Sequence, residues 1–378
     1  MKQINVFIFS AFLIATACQR GTVNVASVNS QSDPNQVSTA HHASDAPTTL
    51  TPDSPLSDVF FTLTRSGLYG TGALSGIGFL PETSTSTHGF LYHLGSEAID
   101  GTSTQDLTLT PHGTSELIYV TPDSSAGMSV LQTLNITNFD QKVLTHAKTP
   151  QSMALSFDGN QLAWVNTAGE VFFLDLTTQQ QLQVDLQNQV AVKIQNIPNS
   201  ADYLVLTNSN ARNLLKISAG KISQTYSTNK VATDFYINPN GSLALIVNTS
   251  QVAILDLKLG QLKAIAIPNP LNSFAWLDAQ RFLYLTSENE KSIGLALYNL
   301  TNSAVTKISD LAISSDDIKK VCLSVSHGNI YYAGPAENAS NWSIYKMIPE
   351  DPSSWRKNIF ASSNDPDTSY ICPKVSDL

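Results

Sequence analysis

The sequence predicts an all-β protein: a seven-bladed β-propeller of four-stranded antiparallel blades, following a signal peptide and a disordered linker. Three observations predict it. A short apolar pattern recurs seven times at nearly constant spacing, no segment sustains a 3.6-residue apolar stripe, and polar uncharged residues stand where charge is usual. Of 378 residues, 42% are hydrophobic and only 13% charged, about half the usual charged fraction. Ser, Thr, Asn and Gln fill the difference, which suits the turns and strand faces of an extracytoplasmic β-protein.

The recurring unit is one turn or polar residue followed by apolar, any, apolar, apolar. It reads "GIGFL" at Gly76, "ELIYV" at Glu116, "QLAWV" at Gln161, "DYLVL" at Asp202, "SLALI" at Ser242, "RFLYL" at Arg281 and "NIYYA" at Asn329. The spacings are 40, 45, 41, 40, 39 and 48 residues, the range for propeller blades of four short strands. An eight-bladed ring is the competing count. Each copy is read as the second strand of its blade. A first strand precedes it, as "MALSF" or "DFYINP", and a third follows, as "EVFFLDL" or "QVAILDL". A fourth strand closes most units, as "QQLQVDL" or "KISQTYS". Asp158-Gly159 and Asn240-Gly241 mark tight hairpins between first and second strands, and are assigned to type I′ turns with φ > 0 at both central positions.

Ahead of the repeats lies "MKQINVFIFSAFLIATACQR": Lys2, an apolar run of about 12 residues, and Ala15-Thr16-Ala17 before Cys18. That run is too short to cross a bilayer and right for a secretion signal. It resembles the bacterial lipoprotein signal, although Ala15 stands where Leu is usual. The resemblance implies cleavage after residue 17 and lipidation of Cys18. Ordinary signal peptidase reading Ala15-Thr16-Ala17 is the alternative. Gln19 after the cysteine implies, by the same resemblance, sorting to the outer membrane. A lipidated Cys18 leaves Cys322 and Cys372 as an even pair in an oxidising compartment.

The domains expected are therefore a signal peptide (1–17), a lipidated cysteine with a disordered tether (18–56) and the propeller (57–378). From Gln19 to Leu56 the chain lacks aromatic residues and abounds in Ser, Thr, Pro, Asn and Gln. It cannot bury enough apolar surface to offset its ordering entropy, and as a flexible coil its reach is roughly 35 Å. His41-His42 lies within it without a convergent third ligand, so no metal is expected.

The best-preserved unit, "ALSFDGNQLAWVNTAGEVFFLDLTTQQ" from Ala154, resembles the repeat of YVTN-type and Tol-system-type bacterial β-propellers, with Phe157 in place of the proline of their S-P-D-G turn. Only this copy and the one near Asn240 match closely. The resemblance implies a binding platform or, as the alternative, a small-molecule-binding or lactonase-like enzyme with His, Arg and carboxylate groups in its funnel. Histidines are few, and only His112 and His327 fall at equivalent positions. No Ser-His-Asp spacing and no phosphate-cradling glycine loop stands out, and "NDPDT" lacks the spacing of a calcium loop. No cofactor and no catalytic residue is assigned. The Asn-x-Ser/Thr sequons at Asn135, Asn248, Asn299, Asn338 and Asn341 follow from composition in a bacterial lipoprotein.

The hairpins between second and third strands are expected on the same face as the connections between blades. Four of these hairpins are long, "PETSTSTH", "TPDSSAG", "TSENEKS" and "GPAENASN", and fall in one sector with "SSDDIKK" and "SSNDPDTS". That gathers a rim of Glu82, Asp123, Glu288, Glu290, Asp316, Asp317, Glu337, Asp365 and Asp367. The expected partners are the membrane, through the lipid anchor, and an envelope protein. A net charge of -9 with no Lys/Arg run excludes a nucleic-acid footprint. Finally, "ICPKVS" near the C-terminus can be laid over "VCLSVS" at Val321, Cys372 on Cys322. It is expected to supply the missing inner strand of blade one, with a Cys322–Cys372 disulfide across about 50 residues worth about 4 kcal/mol, two buried thiols being the alternative.

Overall fold

The computed structural model describes residues 26–27, 59–65, 74–80, 90–93, 109–112, 116–123, 127–135, 140–208, 213–228, 231–248, 251–289, 292–311, 323–326, 329–335, 342–347, 357–361 and 368–375. They form seven antiparallel sheets, which we number I to VII. Sheet II comprises Leu109–His112, Glu116–Pro122, Met128–Asn135 and Gln141–Lys148. Sheet III comprises Pro150–Leu155, Gln161–Asn166, Val171–Asp175 and Gln181–Val184. Sheet IV holds Ala191–Asn196, Tyr203–Thr207, Asn213–Ser218 and Lys221–Ser227. Sheet V holds Ala232–Ile237, Leu243–Asn248, Val252–Asp256 and Leu262–Ile265. Sheet VI is built from Pro270–Trp276, Arg281–Asn289, Ser292–Asn299 and Ala304–Leu311, and sheet VII from Leu323–Ser326, Asn329–Pro335, Trp342–Met347 and Lys357–Ala361. In each of these six, consecutive strands pair as a meander.

Sheet I departs from that order. The last strand, Thr368–Val375, pairs with Val59–Arg65, which pairs with Leu74–Leu80, then Phe90–His93, then the two-residue strand Ala26–Ser27. The C-terminal segment is thus a first strand, as its likeness to "VCLSVS" predicts. "GIGFL", expected second, is third, because Val59–Arg65 occupies the second place. Both middle strands are paired on both edges, so the apolar pattern does not tell them apart.

Apolar burial lies between sheets. Ala163, Val165 and Phe173 of sheet III meet Tyr203, Val205 and Leu215 of sheet IV; Leu204 and Leu206 on the opposite face of sheet IV meet Phe235 and Ile246 of sheet V. Leu245 and Val247 then face Phe274 and Phe282 of sheet VI. A second strand therefore buries both faces, and Tyr203 to Thr207 are buried without interruption. This is why the repeats read as near-continuous apolar runs rather than strict alternation. Among the described residues the fourth strands of sheets II to VII have one unpaired edge, and Gln181, Leu182 and Gln183 are all exposed.

The Asp-Gly and Asn-Gly hairpins are not type I′. Positive φ is confined to Gly159 and Gly241, while Asp158 and Asn240 stay at negative φ. Gly159 N–H donates to Ser156 O and Gly241 N–H to Asn238 O, each at 2.9 Å, so a four-residue turn closes on a left-handed glycine. Gly241 also abuts the neighbouring sheet: a Cβ there would lie 2.4 Å from Pro198 O, whereas one on Gly127, at φ +75, would meet nothing within 4 Å. Gly127→Ala should therefore cost about 1 kcal/mol from backbone strain alone, and Gly241→Ala about 3 kcal/mol because the turn must also move. Denaturant midpoints of the two variants measure the difference; equal losses would show that the sheet contact contributes nothing.

Candidate functional site

First strands carry the polar groups that lie between sheets. In sheets III, IV and V the first strand has a register shift near its start, followed by Ser152, Lys193 and Asp234 at equivalent positions. Extra residues of this kind bend a strand and re-aim its side chains. Ser152 Oγ accepts the Ile194 N–H of sheet IV at 3.1 Å, and Gln151 Nε2 donates to Ala191 O at 3.3 Å. One sheet on, Lys193 Nζ donates to Phe235 O at 3.1 Å, and Phe235 is the counterpart of Ile194. The first strands of sheets IV and V are thus held by side chains from the preceding sheet.

Lys193 also pairs with Asp234 Oδ1 at 2.5 Å, the two side chains being 26% and 28% exposed. Its ammonium lies 4.5 Å from the Tyr236 ring centroid and 5.4 Å from that of Phe235, within cation–π range. Tyr236 Oη donates to Asp234 Oδ2 at 2.9 Å. Burial, and then the Asp234 charge, push the Tyr236 hydroxyl well above its ordinary pKa, so it stays protonated and a donor. Trp276 Nε1 of sheet VI donates to Tyr236 O at 2.8 Å, carrying the chain of contacts one sheet further. Gln195, two residues along from Lys193, leaves its buried Oε1 without a partner.

Chemically, the Lys–Asp–Tyr group is neutral in sum and bonded within itself. No histidine or arginine takes part in the contacts described. Among the described residues, no group of three or more His, Cys, Asp or Glu side chains is placed to hold a metal ion, and no helix is long and apolar enough to cross a membrane.

Of the nine rim carboxylates expected from the sequence, Asp123 is described in full. It follows the second strand of sheet II, with Oδ2 2.7 Å from His146 Nδ1 of the fourth strand. Glu288 lies within Arg281–Asn289 of sheet VI; "TSENEKS", expected as a long loop, is largely paired strand, with Ser287 opposite Ile293 and Asn289 opposite Ser292. Glu82, Glu290, Asp316, Asp317, Glu337, Asp365 and Asp367 lie outside the described residues, as do Cys18, Cys322 and His327. The connection carrying Glu82 follows the third strand of sheet I, not the second. Cys372 stands opposite Thr62 in the last strand. Hairpins and inter-sheet connections do share a face where both are described: Thr149 N–H donates to Gly127 O at 3.2 Å, Ala191 N–H to Gly169 O at 2.9 Å and Ser287 N–H to Asn269 O at 3.1 Å.

Sequence reasoning missed the first-strand seam because Lys193 and Asp234 belong to no motif. Aligning "QSMALSFDG", "VKIQNIPNS" and "TDFYINPNG" on their turns would have stacked Ser152, Lys193 and Asp234 in one column.

No protein-family model matches the chain, and no curated protein matches it. Solved structures do. The chain is similar to the β-propeller domain of the Trilobed protease from Pyrococcus furiosus, which has an open velcro topology, with TM-score 0.56 and 9% identity over 82% of this chain and 94% of that one. It is similar to the dihydro-heme d1 dehydrogenase NirN in complex with DHE, with TM-score 0.50 and 14% identity over 78% and 64%. TolB from Acinetobacter baumannii matches with TM-score 0.45 and 13% identity over 67% of this chain; the chain spans 64% of TolB's length. At these identities the likeness is one of fold: an all-β, propeller-like arrangement of four-stranded antiparallel sheets.

The half-buried position of the Lys193–Asp234 pair between two sheets gives it a measurable coupling. A cycle of Lys193→Met, Asp234→Ala and the double variant should return about 1 kcal/mol of interaction in unfolding free energy. Strictly additive single effects would remove the pair from the list of contacts that join sheets IV and V.

Proposed function

We propose that the chain is an envelope lipoprotein, anchored through Cys18 to the outer membrane, whose β-propeller is a non-catalytic platform for a protein partner. The observation that carries this reading is the state of the first-strand polar groups. In sheets III to VI Gln151, Ser152, Lys193, Asp234 and Trp276 are committed to neighbouring first strands, so that, Gln195 Oε1 apart, the edge where a propeller's small-molecule site would lie offers bonds already made. A lactone-opening site calls for converging His, Arg and carboxylate groups; this seam supplies Ser, Lys, Asp and Tyr. What remains presented is the hairpin face and the outer strand edges, surfaces suited to another protein.

Seven blades closed into one ring is part of the same proposal. First strands lie beside one another from sheet II through sheet VII, and Thr368–Val375 lies beside the first strands of both sheet VII and sheet II. That succession, with the antiparallel pairing of Val59–Arg65 and Thr368–Val375, supports closure by strands from both ends of the domain. Closing the ring this way leaves no sheet face uncovered. Cys322 immediately precedes the strand Leu323–Ser326, which lies beside the strand holding Cys372, and the proposed disulfide joins these two.

Deleting residues 368–378 should abolish cooperative unfolding; a truncated chain with an unchanged Tm would refute closure. For the anchor and the platform, the mature protein is purified from crosslinked envelopes alongside Cys18→Ser. Intact mass should show acyl chains and one disulfide in the first and no acyl chains in the second, and the wild type should retain a crosslinked protein from the outer-membrane fraction. An unacylated wild type, or no crosslinked protein together with measurable lactone turnover, would overturn the reading.

A further inference from the structure

The fourth strands differ in a way that singles out one edge. An unpaired outer strand is a template for another strand, and lysine is the usual guard against that. Lys142 and Lys148 stand on the outer strand of sheet II, Lys221 on that of IV, Lys263 on V, Lys307 on VI and Lys357 on VII. Sheet III has no lysine there and its outer strand is exposed, but the glycine turn of sheet IV stands beside it, a Cβ on Gly220 lying 2.5 Å from Leu182 Cδ2, and no strand of the chain is added to it. The outer strand of sheet I, "FLYH", carries no lysine either. This is the edge to which the fold adds a strand, Ala26 opposite Leu91 and Ser27 opposite Phe90.

The added residues come from the segment expected to be a tether. They lie in "TVNVASVN", from Thr22, an uncharged stretch that holds three of the four valines between Gln19 and Leu56. Valine and threonine favour the pleated backbone, and the rest of the tether, rich in Ser, Pro and Asp, does not. The edge without a charged guard and the tether stretch with strand character meet in the fold.

We propose that the outer edge of sheet I, Phe90–His93, is a strand-accepting docking edge. In the free protein it holds the chain's own Ala26–Ser27 segment, and an extended, uncharged, valine-rich strand of a partner protein takes its place by antiparallel addition. This rests on the platform reading and gives it a binding mode: main-chain hydrogen bonds supply affinity, and alternate side chains supply selection. It also couples partner binding to position. With Ala26–Ser27 docked, the free tether after Cys18 has a reach of roughly 15 Å, and released it recovers roughly 35 Å. Exchange of one strand for another therefore lets the propeller move away from the lipid anchor.

Hydrogen exchange of residues 90–93 in the full mature chain tests this. In the wild type these amides should exchange more slowly than those of Gln181–Val184, and in the variant carrying Ala26→Pro and Ser27→Pro about tenfold faster than in the wild type. Unchanged protection at Tyr203–Thr207 reports that the propeller stays folded. Excess synthetic peptide GTVNVASVNS, residues 21–30, should restore protection in the proline variant, and the same peptide with both later valines replaced by aspartate should not. Equal exchange in variant and wild type would overturn docking, and failure of the peptide to protect would overturn acceptance of a strand from another molecule. Acylation of Cys18 is read by mass and partner capture by crosslinking, so a negative result here leaves those two outcomes standing on their own.

Discussion

The sheets have only four or five strands each, and sheets III to VI present two apolar faces, so none of these can bury itself. The contact between successive sheets is the interaction on which the rest depends. Leu204 and Val205, adjacent in one strand, pack into different cores, and a fully buried side chain of this kind contributes about 2 kcal/mol. Removing one sheet would expose a face of each neighbour. Stability is therefore a property of the stack, and it explains why residues far apart in sequence, such as those of Val59–Arg65 and Thr368–Val375 in sheet I, must pair.

Polar contacts follow the same geometry. Tyr203 Oη of sheet IV donates to Gln161 O of sheet III at 3.1 Å, Tyr226 Oη of sheet IV to Leu257 O beyond sheet V's third strand at 2.7 Å, and Asn238 Nδ2 to Ala279 O at 3.2 Å. Each is a side chain reaching a backbone carbonyl of a neighbouring sheet, and Gln161 O also accepts the Ser156 N–H of its own sheet at 2.8 Å. A carbonyl left unpaired in such a place would cost about 1–3 kcal/mol. Uncharged polar residues suit this work because they bridge sheets without bringing a net charge into the interface, which accounts for a composition low in charge and high in Asn, Gln, Ser and Thr.

Architecture was legible in the sequence where both faces of a strand are covered. "QLAWV" and "DYLVL" announce second strands because burial on both sides forbids polar residues. In sheet I the same rule misled: "VFFTLT" and "GIGFL" are both middle strands, and periodicity has no term for which comes first. The turn assignment failed for a related reason. Asp158-Gly159 has the composition of a two-residue hairpin, but Ser156 lengthens the loop by accepting the Gln161 N–H on its hydroxyl at 2.9 Å. The seam at Lys193 and Asp234 was not legible from either residue alone, since its meaning is the meeting of two strands 41 residues apart.

The acidic balance of the chain has its physical source in the turns. Asp158 Oδ1 accepts the Ser156 hydroxyl and the Asn160 N–H. Asp175 Oδ1 accepts the N–H groups of Thr177 and Thr178, and Asp256 Oδ1 those of Lys258 and Leu259. Asp278 Oδ1 does the same for Gln280 and Arg281. These carboxylates fasten hairpins by occupying donors that the ladder leaves over. The Ser156 hydroxyl foremost holds Asp158 below the ordinary aspartate range, and the Thr178 N–H does so for Asp175. At Asp278, burial alone would raise the pKa, but the N–H of Gln280 and the Arg281 side chain outweigh it and the net shift is downward. A carboxylate with a depressed folded-state pKa adds stability above its unfolded pKa and loses it as pH falls through the folded value. The aspartates of the turns are therefore engaged in folding, and a negative total charge is no measure of how much acidic surface is free to meet a partner.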